Sequence, residues 1–193
     1  MPRIVEYKTV LQRMQDDGFV SLYHNSGAFG LPRDAKTQAV GWIGAADPTL
    51  RPEASALAQE VGAPVEENLV RLLIRAWREH LPGTLWLMPM SHWAYELDFA
   101  SRAWMPGLLR AIGTDPALLE SRNDGAAIEF EAAEDGVLRK IVFGLLQNLN
   151  GSDFSITFPG RDALCTLHHH KQLWWTTRDA SVAQSLRELI SRT

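Results

Sequence analysis

The 193-residue sequence predicts an α+β fold: a mainly antiparallel sheet with helices packed on one face, and a C-terminal three-stranded meander followed by a final helix. Segments that alternate like strands and segments with a helical period are mixed along the whole chain. The last three expected strands, at 154–158, 163–169 and 173–177, are joined by short turns, which connect antiparallel neighbours. After them, apolar residues recur at helical spacing over 180–190.

The first third of the chain is expected to hold a short helix and a hairpin. Helical spacing covers 5–17, and two strand-like runs follow at 19–23 and 38–43. Because turn-forming residues separate these runs, the two strands are predicted to pair with each other through a long connection. Asp47-Pro48 is expected to open a helical region that includes a helix over 53–60.

The middle of the chain predicts a buried strand between two helices. The first helix starts at Pro64 and has an apolar stripe, formed by Leu69, Leu72, Leu73, Ala76 and Trp77. Residues 84–90 are apolar on both faces, which is typical of a central strand. Ser91 is expected to cap the second helix. Its buried face is predicted to consist of Trp93, Leu97, Ala100 and Trp104.

The C-terminal part continues with a strand, a helix and the meander. The alternation over 126–132 predicts a strand whose glutamates, Glu129 and Glu131, point outward. Residues 137–149 carry the apolar stripe of an amphipathic helix. Asp179 is expected to cap the final helix.

Composition limits the classes of function. The net charge of −4 provides no broad positive surface, so a nucleic-acid partner is not expected. One cysteine cannot form an internal disulfide, which favours a reducing, cytoplasmic location. The chain shows no signal-peptide core and no apolar run of about 18 residues, so no membrane association is expected. A single compact domain over 1–193 is predicted, with a two-part organisation divided near 106–125 as the alternative.

The internal triplet His168-His169-His170 points to a site in the C-terminal sheet. Alternate residues of a strand share a face, so Thr166, His168 and, if the strand extends, His170 are expected on one side, and His169 on the core-facing side. Either Trp174 with Thr176 or Trp175 with Thr177 of the next strand is expected to join the polar side, and the predicted site takes Trp174. Hydroxyl and aromatic side chains together are typical of a recognition surface. The alternative is that a helix from the first half of the chain covers this face, in which case the tryptophan packs against that helix and is structural.

The expected ligand site also includes residues from the first half of the chain. His92 follows a predicted strand, where loops often line binding sites. The 24–30 loop carries His24 at its root and Phe29 near its end, and one interpretation makes this loop a mobile flap over the site. The other interpretation is a plain connecting loop.

A metal site is a further hypothesis. His168 and His170 are two residues apart on a strand, and His92 and Glu96 are four apart on a helix, so each pair projects in one direction. Three imidazoles and a carboxylate would suit zinc, iron or manganese. Short histidine spacings also arise by chance, so a helix-surface pair and a hydrogen-bonded triplet are the alternative. Parity places Cys165 on the apolar side, where a thiol is unreactive.

Two functions therefore stand as expectations. The first is a binding or regulatory module that holds a small ligand or a protein partner on the polar-aromatic face. The second is a metal-dependent hydrolase or lyase that uses the His/Glu site. The same strands could also mediate self-association into a homo-oligomer.

Overall fold

The computed structural model describes residues 2–44 and 52–191. The described residues contain ten strands: β1 (Arg3–Val5), β2 (Val20–Ser21), β3 (Phe29–Gly30), β4 (Gln38–Ile43), β5 (Ala58–Glu60), β6 (Leu85–Pro89), β7 (Ala127–Phe130), β8 (Phe154–Thr157), β9 (Ala163–His168) and β10 (Gln172–Thr177). They also contain eight α-helices: α1 (Tyr7–Asp16), α2 (Pro52–Ser55), α3 (Val65–His80), α4 (Trp93–Tyr95), α5 (Met105–Ala111), α6 (Ala117–Glu120), α7 (Asp135–Asn148) and α8 (Ala180–Ser191). A π-helical turn (Glu96–Ala100) follows α4, and a 3₁₀ turn (Ala132–Glu134) precedes α7.

Eight strands form one sheet in the order β1-β7-β6-β8-β9-β10-β4-β5. Every neighbouring pair in this sheet is antiparallel except β4 and β5, which are parallel. The strands β8, β9 and β10 form a meander that leads directly into α8. The α+β fold and the C-terminal meander with its final helix are therefore confirmed.

The main core lies between the sheet and the helices α3, α5, α7 and α8. Apolar stripes of these helices pack on one face of the sheet, as the helical period of their sequences requires. Three aromatic side chains fill the end of this core near the meander: Trp175 packs edge-on to Trp42 at 5.2 Å and stacks on Phe158 at 5.9 Å between ring centroids. Cys165 belongs to this core and is buried, and burial raises the pKa of its thiol. It is therefore the structural residue that its strand position predicts.

A smaller core covers half of the opposite face. Val10 and Met14 of α1, together with residues 19–31, pack on the β7, β6 and β9 side chains that face away from the main core. We call residues 5–31 the N-terminal cover. Apolar contacts of this cover reach Leu164 on β9 and stop there, because the next residues on that face are polar and only half-buried.

The predicted hairpin between 19–23 and 38–43 is wrong. β2 pairs with β3 instead, and β4 lies between β10 and β5 in the main sheet. Pairing with β10 aligns all six residues of β4 and buries Val40 and Trp42 in the main core. Turn-forming residues predict that a strand pairs with the next strand in the sequence. Burial of Val40 and Trp42 instead requires that β4 pair with β10, which is distant in the sequence.

The single helix predicted over 53–60 is also wrong in its second half. One turn of helix, α2, is followed by β5, which pairs in parallel with β4. Hydrogen bonds from Gly41 to Leu57 (2.9 Å) and from Val61 to Ile43 (2.7 Å) extend this pairing. Asp47 and Pro48, where the helical region was expected to open, lie outside the described residues.

Glu129 departs from its expected outward, solvated position. Its side chain points away from the main core, but the N-terminal cover lies over this face and leaves Glu129 only 5% exposed. The carboxylate is satisfied by Arg3 and by the indole N–H of Trp86, which donates at 2.8 Å. Strand alternation therefore predicts correctly which face of the sheet Glu129 lies on. Its solvent exposure depends on the N-terminal cover, which is about 100 residues away in the sequence.

Strands from both sides of 106–125 belong to the same sheet. β6 and β7, which flank this segment in sequence, are direct neighbours. Among the described helices, none has the length and apolar character needed to cross a bilayer.

The cap of α8 gives a prediction about pH and stability. Asp179 Oδ1 accepts hydrogen bonds from the backbone N–H of Ser181 (2.8 Å) and Val182 (3.2 Å) and from the Ser181 hydroxyl (2.6 Å). The Ser181 hydroxyl, followed by these backbone groups, lowers the pKa of Asp179. Replacing Asp179 by Ala should lower the free energy of unfolding at neutral pH by about 1 kcal/mol.

The pH dependence of this loss follows from the lowered pKa. The charged cap stabilises the fold fully above the unfolded-state pKa of about 4, and the stabilisation disappears as pH falls through the lower folded-state pKa. Denaturant unfolding of wild type and Asp179→Ala should therefore show a difference that shrinks in acid. The Asp179→Asn variant, which caps without charge, is the control. A difference that stays constant with pH would contradict this account.

Candidate functional site

The half of the sheet face beyond the N-terminal cover is polar and aromatic. Thr166 and His168 of β9 and Trp174 and Thr176 of β10 are all half-buried on this side. Register confirms that they share a face, since Thr166 lies opposite Trp174. The expected polar-aromatic face therefore exists, and the cover conceals its continuation on β8.

Trp174 lies flat across the neighbouring strand. Its indole N–H donates to Gln172 Oε1 at 2.8 Å, which fixes one edge of the ring. A Cβ atom at Gly41 would come within 2.5 Å of the ring, so only glycine lets the indole pack against the backbone of β4. One face of Trp174 is thus supported, and the side chain remains partly accessible.

The covered part of the same face holds two hydroxyl groups without partners. Ser155 and Thr157 of β8 are fully buried, and their hydroxyl oxygens make no hydrogen bond within the described structure. A donor from their own strands is not available, because these side chains point away from the backbone ladder.

The three histidines lie at a tight turn between β9 and β10. β9 ends at His168, so His169 is not on the core-facing side that strand alternation would give it. The backbone N–H of Lys171 donates to the carbonyl of His168 at 3.1 Å, and Lys171 has a left-handed backbone conformation (φ 59°). Lys171 Nζ also donates to Glu66 Oε1 at 2.6 Å, which joins the turn to α3 and lowers the pKa of Glu66.

Asp153 holds the histidine turn from the start of β8. Its Oδ1 accepts from the backbone N–H of His169 at 3.0 Å and lies 2.8 Å from Nδ1 of the same imidazole. Its Oδ2 lies 3.8 Å from His168 Nε2. Its own carbonyl accepts from the N–H of Met90 at 2.9 Å, which ties it to the end of β6.

The imidazoles of His168, His169 and His170 form a cluster that could hold a metal ion. One nitrogen from each ring lies within 4.8 Å of the others. The side chains of His168 and His169 are 27% and 25% exposed, and His170 is exposed, so the cluster is accessible from solvent. Two of these rings also have protein partners, since Nδ1 of His168 accepts the backbone N–H of His170 at 3.2 Å and Nδ1 of His169 lies 2.8 Å from Asp153 Oδ1.

The structure does not bring His92 and Glu96 into this cluster. In the part of the chain that is described, the one group of three or more potential ligands is the histidine triplet. His92 Nε2 lies 3.4 Å from the carbonyl oxygen of His24, a residue within the N-terminal cover. The predicted set of His168, His170, His92 and Glu96 is therefore not a single metal site.

Glu96 has a different environment from the one expected on an exposed helix. It begins the π-helical turn and is fully buried. The hydroxyls of Ser91, Ser101 and Ser152 donate to its carboxylate at 2.7, 2.9 and 3.1 Å. Ser91 therefore binds the Glu96 side chain rather than capping a helix, and the cap position belongs to His92.

Phe29 lies in the smaller core and is 1% exposed. A side chain this buried cannot contact a ligand while the N-terminal cover stays packed. The ring of Phe29 anchors the 24–30 loop to the smaller core, rather than moving over a site as the flap interpretation requires. His24 lies at the root of this loop, as its sequence position requires, but contributes its carbonyl oxygen near His92.

A cleft of about 490 Å³ opens between the cover and the segments that follow β6 and α7. Its walls include Tyr23, Met90, Ser91, Tyr95, Ser152 and Asp153. His92 also faces it, which agrees with the expectation that His92 and the loop root border a site. Asp153 belongs to both regions, since it lines the cleft and contacts His168 and His169.

Sequence reasoning missed His169, Asp153 and the serines that surround Glu96. Strand parity assigned His169 to the core because it extended β9 by one residue. Asp153 follows Asn150-Gly151, so its sequence suggests only a turn. The signal that could have identified Asp153 is its position as an acidic residue immediately before β8, the strand that pairs with β9.

Comparison with known proteins identified no relative: no protein-family model, no curated protein and no solved structure matches this chain.

Proposed function

We propose that this protein binds a divalent transition-metal ion on His168, His169 and His170. The observation that carries this proposal is the approach of three ring nitrogens to within 4.8 Å of one another at an accessible turn. Neutral imidazole nitrogen is a preferred ligand of zinc, and also suits iron, nickel and copper.

The cluster needs only side-chain adjustment to close around an ion. Zinc–nitrogen bonds of about 2.0–2.1 Å place the nitrogens of a tetrahedral site about 3.3 Å apart. The nitrogens must therefore approach by at most about 1.5 Å, which rotation of the exposed His170 side chain and small shifts of the other two can supply. The fourth position would face solvent and be open to water or a small ligand.

Asp153 supports the proposal because of where it sits. Metal-binding histidines typically give their second ring N–H to a carboxylate, which fixes the tautomer and the orientation of the ring. Asp153 Oδ1 occupies that position at His169, 2.8 Å from Nδ1. A run of histidines that behaved only as a flexible purification tag would have no such partner.

Metal titration of protein purified without a nickel column tests the proposal. Zinc should bind with a stoichiometry of one, and His168→Ala or His169→Ala should abolish tight binding. Asp153→Asn should weaken zinc affinity by about 10–100-fold, because the imidazole of His169 loses its orienting partner. Calorimetry measures zinc affinity, and cobalt absorption reports the coordination geometry.

Matched histidine controls separate this site from non-specific histidine binding. His92→Ala and His80→Ala remove imidazoles outside the cluster and should leave zinc affinity unchanged. If Asp153→Asn binds zinc as well as wild type, or if His92→Ala removes the ion, the assigned site is wrong.

A second candidate is binding of a flat-ringed small molecule on the open sheet face. The specific observation is Trp174, whose ring is supported by Gly41 on one side and remains partly accessible beside Thr166 and Thr176. Aromatic rings stack on such a surface, while the threonine hydroxyls can orient polar substituents. This candidate continues the hypothesis of a binding module, and a homo-oligomer through this face is its competitor.

Ligand-observed NMR with a panel of aromatic and sugar-ring fragments tests the second candidate. Fragments that bind should lose their saturation-transfer signal with Trp174→Ala and keep it with His169→Ala. Signals that survive Trp174→Ala would exclude this face, and a dimer in light scattering that dissociates with Trp174→Ala would favour self-association. The cytoplasmic location and the lack of a nucleic-acid partner stay predictions that rest on composition.

A further inference from the structure

The cleft beside the histidine turn has a chemistry of its own. Ser91 and Ser152, which line it, donate to Glu96 behind them, and the fully buried Glu96 carboxylate forms no ion pair with any described residue. Burying a carboxylate without a cation is costly, and hydroxyl donors offset only part of that cost. We propose that this cleft binds the primary ammonium group of a small alkylamine, a site distinct from the metal cluster.

The serine hydroxyls determine which kind of ligand group fits. A hydroxyl has one hydrogen to donate, and Ser91 and Ser152 both use it on Glu96. Both serines also line the cleft, so toward a ligand they present oxygen lone pairs only. An ammonium group, which has three N–H donors and no acceptor, matches this arrangement.

The walls favour an organic cation. Tyr23 and Tyr95 line the cleft with aromatic rings, whose faces attract ammonium groups, and Met90 adds a polarisable apolar surface. Asp153 contributes a carboxylate at the edge. The described residues that line the cleft include no lysine or arginine, and the one imidazole there, that of His92, lies 3.4 Å from the carbonyl oxygen of His24.

Other ligand classes fit less well. An anion would face the carboxylates of Glu96 and Asp153 with no lysine or arginine in the described lining. Magnesium and calcium require several oxygen ligands in direct contact. Glu96 is fully buried behind the serines, so Asp153 is the one carboxylate in the described lining, and it does not provide that set alone.

A matched pair of probes tests the proposal. Butylamine is protonated at about pH 8, and 1-pentanol is an uncharged probe one methylene group longer, so its larger apolar surface works against the expected preference. Wild-type protein without metal should bind butylammonium about tenfold more tightly than 1-pentanol, as measured by chemical-shift titration. Equal affinities, or no binding of butylammonium, would overturn the proposal, as would displacement of butylammonium by magnesium or calcium.

Variants connect the preference to the cleft. Glu96→Gln should abolish the preference for the charged probe, while Glu129→Gln, a buried carboxylate outside the cleft, should retain it. If Glu96→Gln does not fold, Tyr95→Leu provides the test, since Tyr95 is half exposed and its ring contributes to the walls. Tyr95→Leu should weaken butylammonium binding about threefold or more and leave 1-pentanol binding unchanged. Unchanged butylammonium binding in Tyr95→Leu would exclude this cleft.

Because the proposed metal site lies on the histidines, the two proposals fail separately. His169→Ala should remove zinc and keep the preference for butylammonium. Loss of the preference in His169→Ala would show that the two sites are one.

Discussion

Burial of the central strands on both faces is the constraint on which this structure depends. β6 and β8 are fully buried, so each face of the sheet needs a separate apolar layer. Four helices provide one layer, and the N-terminal cover provides the other only as far as Leu164. The uncovered half then carries polar and aromatic side chains, which tolerate water. The open polar-aromatic face is thus a consequence of the N-terminal cover's incomplete coverage of the sheet.

Asp153 connects the parts that border this open region. Its backbone carbonyl binds Met90 after β6, and its carboxylate binds the backbone and ring of His169 after β9. Two strand ends and one imidazole therefore have their positions fixed by one residue. Such preorganisation supports the proposed metal site, because the cost of ordering the imidazole of His169 is met in folding.

The sequence predicted what depends on local period and missed what depends on distant partners. The meander, α3, α7, α8 and the shared face of Thr166, His168 and Trp174 follow from alternation and helical spacing. The pairing of β4 with β10 and the burial of Glu129 depend on segments more than 100 residues away. Local pattern also did not predict the carboxylate that contacts the histidines. Residue spacing favoured Glu96, whereas in the fold Asp153 lies next to His168 and His169.

The two neighbouring sites differ in a way that their atoms explain. The histidine cluster presents nitrogen lone pairs at an accessible turn, which is the requirement of a transition-metal ion. The cleft is lined by serine oxygens that contact a buried carboxylate and by two tyrosines, a combination that would suit a cation that donates hydrogen bonds and has an alkyl chain. As proposed, the two sites would both select positive charge, one through coordination and the other through hydrogen bonding, and Asp153 contacts the histidines and also lines the cleft.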